Sequence, residues 1–135
     1  MPFESVIYPD RRLIVSTGTG IVTGDDGLAC CVGLKTKPQF NPSFNQLIDL
    51  SPATKFTATP EQIRRIAQEP LLASSSRRAI VAAESAVFGL ARIFEAYRSL
   101  SEAGEHVRVF REIDSALDWL SETSDETARG AASPA

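Results

Sequence analysis

The spacing of apolar residues divides the chain into short strands that alternate with helices. Two β-rich runs, FESVIY at 3–8 and RLIVST at 12–17, are separated by a Pro-Asp pair that favours a tight turn. This pattern predicts an antiparallel hairpin. A first helix is then predicted from Thr23, a suitable N-cap, to Pro38, which stops the helix.

The middle of the chain repeats the strand-to-helix order twice. The run QLIDL at 46–50 predicts a short strand, and the helix after it begins with Thr59 as N-cap and Pro60 at the first helical position. The run RRAIVAA at 77–83 is almost continuously apolar after its arginines, which predicts a strand covered on both faces. An apolar stripe between Ala86 and Ala103 predicts an amphipathic helix.

The last elements complete the predicted fold. HVRVFR at 106–111 predicts a strand, and Asp114 is expected to cap a short helix. From about Glu122 large apolar residues are missing, so we expect one domain at 1–121 and a disordered tail at 122–135. The order β-β-α-β-α-β-α-β-α predicts an α/β single-domain sandwich, with a mostly parallel sheet of about five strands and an N-terminal antiparallel hairpin.

Composition and charge narrow the classes of function. The chain has 135 residues, of which 43% are hydrophobic and 23% charged, and this suits one globular domain. Its net charge of -3 argues against nucleic-acid binding, which needs a basic surface. No apolar run approaches the roughly 20 residues of a membrane span. The first residues, MPFESVIYPD, lack the basic and apolar pattern of a signal peptide, so a cytoplasmic location is expected.

Cofactor and metal sites are not indicated. Cys30 and Cys31 are adjacent, so they offer neither a disulfide framework nor metal-ligand spacing, and His106 is the single histidine. The glycine-rich run GTGIVTG at 18–24 follows a strand, but Thr23 stands where a dinucleotide-binding loop needs glycine. We therefore expect no cofactor, and we expect 18–24 to be a flexible connection.

One polar segment is the best candidate for a functional site. It follows the strand at 46–50 as a predicted loop, and its candidate regulatory or ligand-binding residues are Asp49, Ser51, Thr54, Thr57 and Thr59. In open α/β sheets, ligands bind beyond the carboxyl ends of the strands, where a helix N-terminus can hold an anion. The alternative is that these side chains only cap helices and form turns, which is their usual role.

Catalytic chemistry is not indicated by the sequence. Asp49, Glu84 and Glu112 are potential acid-base groups, but nothing in their spacing brings them together. His106, just before a strand, is expected to be an exposed loop residue. Because no set of nucleophile, base and acid can be assembled, we expect a protein that is not an enzyme.

Three segments of the chain resemble a known family. They are FNQLIDLSPATKFTATPEQIRRIA, RRAIVAAESAVFGLARIFEAYRSL and VRVFREIDSALDWL, and together with the order of elements they are similar to the bacterial SpoIIAA-like proteins. That family belongs to the STAS and CRAL-TRIO-like fold group, which includes the anti-sigma factor antagonists. The resemblance extends from Phe3 to Leu120.

The resemblance implies two classes of function. The first is a non-enzymatic regulatory or protein-interaction module that binds a protein partner or forms a homodimer. In the anti-sigma factor antagonists a serine at a helix start is phosphorylated, but residues 56–60 here read Phe-Thr-Ala-Thr-Pro and lack the Asp-Ser-Ser-Gly motif. The alternative is a carrier of a small apolar ligand or lipid, as in CRAL-TRIO-like relatives. A cavity of roughly 300 Å³ or more, lined by Phe88 and Phe94, would favour the carrier.

Overall fold

The computed structural model describes residues 2–100 and 105–132, with side chains described up to Glu122. Its strands are β1 (Phe3–Tyr8), β2 (Leu13–Gly18), β3 (Gly20–Thr23), β4 (Asn45–Asp49), β5 (Ala53–Thr57), β6 (Arg77–Val81) and β7 (His106–Phe110). Its helices are α1 (Gly24–Lys35), α2 (Pro60–Gln68), α3 (Ser85–Ser99) and α4 (Ile113–Ala132).

The main sheet has the predicted architecture. It contains five strands in the order β1-β2-β4-β6-β7. β1 is antiparallel to β2, to which it is joined through a short 3-10 turn at Pro9–Arg11, whereas the pairs β2-β4, β4-β6 and β6-β7 are parallel. The mixed α/β fold and its N-terminal hairpin are therefore confirmed.

Two strands were not predicted. β3 and β5 pair in parallel as a second, two-stranded sheet, which we call the β3–β5 ribbon. Two predictions were therefore wrong in part: the flexible connection at 18–24 and the loop after Asp49. The backbone groups of these segments bond to each other, and Gly20, with a φ of 69°, makes the turn from β2 into β3 in the left-handed region that favours glycine.

Helices cover the two faces of the main sheet unequally. Side chains alternate between faces along a strand, so Ile80 points to the side of α1, α2 and α3, whereas Val81 points to the side of α4. On the first side Ile80 packs with Val87 and Phe94 of α3. On the second side α4 presents Ala116 and Leu120 to the sheet. The sheet is thus the central layer between two helical layers.

The helix boundaries agree with the sequence at two starts and differ near the end of the chain. Thr23 and Thr59 are the N-caps of α1 and α2, as predicted. The predicted end of the third helix, Ala103, falls on residues 101–104, outside the described residues. Asp114 lies in the first turn of α4 and is not its cap, and the helix is not short, because it continues to Ala132. The side chains from 123 onward are outside the described part, so the domain boundary at residue 121 and the disordered tail stay predictions.

Candidate functional site

The carboxyl ends of the four parallel strands lie along one edge of the main sheet. Thr17, Asp49, Val81 and Phe110 are successive partners in the strand register and mark this edge. The predicted polar segment begins here, directly after β4. The edge is therefore where a fold of this type would place a ligand.

Asp49 and Ser51 form a closed local structure at this edge. One carboxylate oxygen of Asp49 accepts hydrogen bonds from the Ser51 backbone N–H at 2.9 Å and from the Ser51 hydroxyl at 2.5 Å. An Asp side chain bonded to the backbone two residues later stabilises a turn. Both side chains thus serve the turn between β4 and β5.

Thr59 has the predicted capping role. Its hydroxyl oxygen accepts from the Gln62 backbone N–H at 3.2 Å, while the Gln62 side chain accepts from the Thr59 backbone N–H at 2.9 Å. Thr54 and Thr57 instead lie in β5, and both are exposed. The five candidate residues therefore occupy a turn, a strand and a helix cap. Their proposed use in regulation or ligand binding stays a prediction.

The N-termini of α1, α2 and α3 are occupied by side chains of the chain itself. A carboxylate oxygen of Asp26 accepts from the backbone N–H of Thr23 at 2.9 Å, and Glu84 accepts from the backbone N–H of Val87 at 2.9 Å. Gln62 does the same for α2. Backbone donors at a helix N-terminus attract anions only while they are free. Each of these three helix starts therefore has part of its backbone donor capacity used by the chain itself.

The potential acid-base carboxylates Asp49, Glu84 and Glu112 lie at or just after the carboxyl ends of β4, β6 and β7, and His106 does not lie with them. His106 is exposed at the start of β7, at the opposite edge of the sheet from Asp49. Glu84 is engaged as the cap of α3. None of the described His, Cys, Asp and Glu side chains form a group of three or more that could hold a metal ion. None of the described helices has the length and apolar character needed to cross a bilayer.

A small cavity lies between the main sheet and the helices α1, α2 and α3. Its volume is about 70 Å³, and it is partly open. The lining is almost entirely apolar and includes Ile80, Val87 and Phe94, together with the polar residues Gln46 and Arg78. Phe88 is not in the lining. The cavity is thus smaller than the roughly 300 Å³ expected of a carrier's binding site.

A wider hollow lies between α2 and α3, with a volume of about 520 Å³. It is an open depression in which Leu71 and Tyr97 alternate with charged side chains such as Arg64. It is not the enclosed apolar pocket that the carrier interpretation requires.

Polar side chains lie in a row across the face of the main sheet that packs on α1–α3. The Ser5 and Ser16 hydroxyls are 2.8 Å apart, and the Gln46 amide nitrogen donates to Ser16 at 3.0 Å. Arg78 follows on β6, directly beside Gln46 in the strand register. Both Gln46 and Arg78 are 1% exposed. The row therefore places a guanidinium group inside the core.

Arg78 forms a buried ionic group with two further residues, Glu105 and Arg98. Its Nη1 atom lies 3.0 Å from one carboxylate oxygen of Glu105, and Nη2 of Arg98 lies 2.8 Å from the other. Arg98 also donates to the Ala67 carbonyl. Within the described residues, Nε and Nη2 of Arg78, Nε of Arg98 and Oε1 of Gln46 have no hydrogen-bond partner. Buried polar atoms without partners are uncommon in native proteins.

This buried group has only a weak signal in the amino-acid sequence. Arginine is rarely fully buried, and the apolar pattern that predicted a covered strand at RRAIVAA begins only after its two arginines. The useful signal is the position of Arg78 two residues before Ile80, because residues two apart in a strand point to the same face. In a strand predicted to be covered on both faces, Arg78 is therefore expected to be covered as well. Glu105 and Arg98 carry no comparable signal, because they come together only through the packing of α3 on β7.

The two cysteines border the same cavity. Both are free and lie on α1, with Cys30 half-buried and Cys31 buried. Burial raises the pKa of the Cys31 thiol, and the positive charge of Arg78 acts in the opposite direction. Cys30 contacts the Ser5 hydroxyl at 3.7 Å. The thiols thus extend the polar row at one side of the cavity.

Comparison with known proteins supports the fold and gives no activity. No protein-family model and no curated protein sequence match the chain. Among solved structures it is similar to an uncharacterised protein of the DUF3478 family with a SpoIIAA-like fold, from Shewanella loihica PV-4. The TM-score is 0.54 at 16% sequence identity, over 87% of this chain and 91% of the other. The chain therefore has the SpoIIAA-like fold that its sequence resembles.

Proposed function

We propose that this domain is a non-enzymatic regulatory module that binds a protein partner through the β3–β5 ribbon. The observation that carries the proposal is the exposure of Ile21, an apolar side chain that is 62% exposed and lies beside Lys55 in the register of the ribbon. Within the described chain no further strand pairs with β3 or β5. Protein interfaces have an apolar core surrounded by a polar rim, and Ile21 beside Lys55 would fit such an arrangement.

The shape of the ribbon supports a macromolecular partner. Neither hollow is lined by Asp49, Ser51, Thr54, Thr57 or Thr59. Small molecules bind in concave sites, whereas Thr54 and Thr57 of the ribbon are exposed on β5. The partner is expected to offer an apolar side chain for Ile21 and an acidic group for Lys55. A second copy of the chain is one such partner.

The non-enzymatic part of the proposal rests on the structural use of two carboxylates and on the position of the histidine at the other end of the strands. Asp49 bonds to Ser51, Glu84 caps α3, and His106 is at the opposite edge of the sheet. General acid-base catalysis needs such groups within hydrogen-bond reach of one substrate. The carrier alternative has less support, since the partly open cavity of about 70 Å³ is too small for a lipid chain.

Site-specific photo-cross-linking tests the contact surface. A photoreactive amino acid is placed at Ile21 and, as the control, at Val32, which is 49% exposed on α1. In host cells, residue 21 should give a discrete cross-linked protein that residue 32 does not give. A doubled mass would identify a homodimer. The same products from both positions, or none from residue 21, would overturn the assignment of the ribbon.

Thr57 is the residue of the ribbon that best suits regulation by phosphorylation. It is exposed, lies two residues from Lys55 and has no capping role, unlike Thr59. A phosphate would add nearly two negative charges beside the lysine and repel an acidic partner. Thr57→Glu should therefore reduce cross-linking from residue 21, while Thr57→Ala should preserve it. Equal cross-linking in both variants would exclude this form of regulation.

A further inference from the structure

We propose that the cavity beneath α1, α2 and α3 binds a small carboxylate, whose oxygens accept hydrogen bonds from Nε–H and Nη2–H of Arg78. These two groups lie on the same side of a guanidinium and form a fork that matches the two oxygens of a carboxylate. Neither has a partner among the described residues. The remaining nitrogen of the guanidinium, Nη1, is already engaged, because it lies 3.0 Å from a carboxylate oxygen of Glu105.

The charge of the buried group favours an anion. Arg78 and Arg98 contribute two positive charges, and Glu105, which both contact, contributes one negative charge. The group therefore has a formal charge of +1 while its three members are at most 8% exposed. An uncompensated charge in the core is unfavourable, and one carboxylate would neutralise it.

The size and lining of the cavity define the rest of the ligand. A volume of about 70 Å³ corresponds to about five non-hydrogen atoms, since one water needs about 15 Å³ on this scale. Apart from Arg78, Gln46 and the two thiols, most of the lining consists of aliphatic and aromatic side chains such as Ile80, Val87 and Phe94. A short aliphatic monocarboxylate has both the charged head and the apolar body that this site would accept.

Gln46 stands where the carboxylate head must bind. It neighbours Arg78 on the adjacent strand, and its Oε1 atom has no partner. The unpartnered atoms of both side chains are nearly covered by their neighbours, so binding includes a small rotation of these flexible side chains. Phe56 is the one residue of the β3–β5 ribbon that lines the cavity. The exposed ribbon residues proposed as the contact surface are not part of the site. The proposal thus stands independently of the protein partner.

Thermal denaturation with propionate as the probe tests the site in the full chain. The melting temperature should rise with propionate at constant ionic strength, because a ligand that binds only the folded state stabilises it by mass action. Propionamide has the same shape without the charge and should give no rise. A rise of equal size with propionamide, or none with propionate, would overturn the proposal.

A carboxylate built into the chain should replace the ligand. Gln46→Glu places a carboxylate beside the Arg78 fork, so this variant should melt higher than the wild type and lose the response to propionate. Gln39→Glu makes the same change at an exposed position and should respond like the wild type. A full propionate response in Gln46→Glu would contradict the site.

A measurement on the wild type alone covers the case in which the variant fails to fold. Nuclear Overhauser contacts should join the propionate methyl protons to the side chains of Ile80 and Val87, which line the cavity. Contacts confined to surface residues, or no contacts at saturating propionate, would overturn the proposal.

Discussion

Glu105 supplies the negative charge that compensates the buried guanidinium of Arg78. It is 4% exposed and contacts Arg78 and Arg98 with separate oxygens. Burial of an ion pair is often close to neutral for stability, but removal of one partner leaves the other charges unpaired in the core. The importance of Glu105 therefore lies in the cost of its loss.

Glu105→Gln should lower the free energy of unfolding by about 3–5 kcal/mol, because two buried guanidinium groups lose their shared counter-charge. Chemical denaturation measures the change. Glu61→Gln is the matched control, since it removes an exposed ion pair with Arg64 and should have little effect. Similar results for the two variants would contradict the role given to the buried group.

Thr59→Ala should lower the free energy of unfolding by about 1 kcal/mol, because the Gln62 backbone N–H loses its acceptor. Thr57→Ala is the control, since Thr57 is an exposed strand residue without a capping bond. Urea denaturation compares the two. If Thr59→Ala keeps full stability but loses binding of the partner, the hydroxyl serves in recognition and not as a cap.

The two thiols should differ in reactivity. Burial raises the pKa of the Cys31 thiol, so less thiolate is present there, and iodoacetamide should modify Cys30 first. Mass spectrometry of the alkylated chain gives the order. Because the pKa of Cys31 is higher in the folded state than in the unfolded state, the folded state keeps this proton to higher pH. The contribution of Cys31 to the free energy of unfolding therefore falls as pH rises above about 8.5, the ordinary thiol pKa. Faster alkylation of Cys31 would contradict its burial.

At the scale of elements, the sequence identified those with a strong local pattern. The strand at 46–50, the capped starts at Thr23 and Thr59 and the stripe in α3 were all visible, because periodicity and capping are local. The ribbon was missed because β3 and β5 have only four and five residues and lack a regular alternation of buried and exposed positions. Their pairing is a tertiary interaction, which propensity does not record.

α4 provides the clearest test of which chain segments stabilise the domain. Its contact with the sheet includes Leu120, which is 5% exposed, and Trp119, whose ring centroid lies 5.7 Å from that of Phe110. Leu120→Ala should therefore cost about 2–5 kcal/mol in the free energy of unfolding. Truncation after Thr123 removes none of these contacts and should shift the melting temperature by only about a few degrees. A large loss on truncation would show that the tail docks on the domain.

For the molecule as a whole, the sequence predicted the main sheet but not the buried charged group that lies on it. The order of strands and helices led to the SpoIIAA-like fold, and the solved structure with a TM-score of 0.54 agrees with it. The buried group of Arg78, Arg98 and Glu105 depends on three separate elements meeting in one place. Because charged residues are rarely buried, the sequence pattern did not indicate that these three residues form a buried group.

The fold separates the two proposed sites by depth. The ribbon presents Ile21, Lys55 and Thr57 on the surface, whereas Arg78 lies in the core beneath the helices. A protein partner and a small carboxylate should therefore bind at the same time. Their effects on the backbone should be measurable separately.

Hydrogen–deuterium exchange of the domain with and without its cross-linked partner measures whether the β3–β5 ribbon is the contact surface. We expect slower exchange in Gly20–Thr23 and Ala53–Thr57, with little change in residues 113–120 of α4, which lies on the far face of the main sheet. Protection confined to α4, or spread evenly over the chain without an effect in the ribbon, would contradict binding through the ribbon.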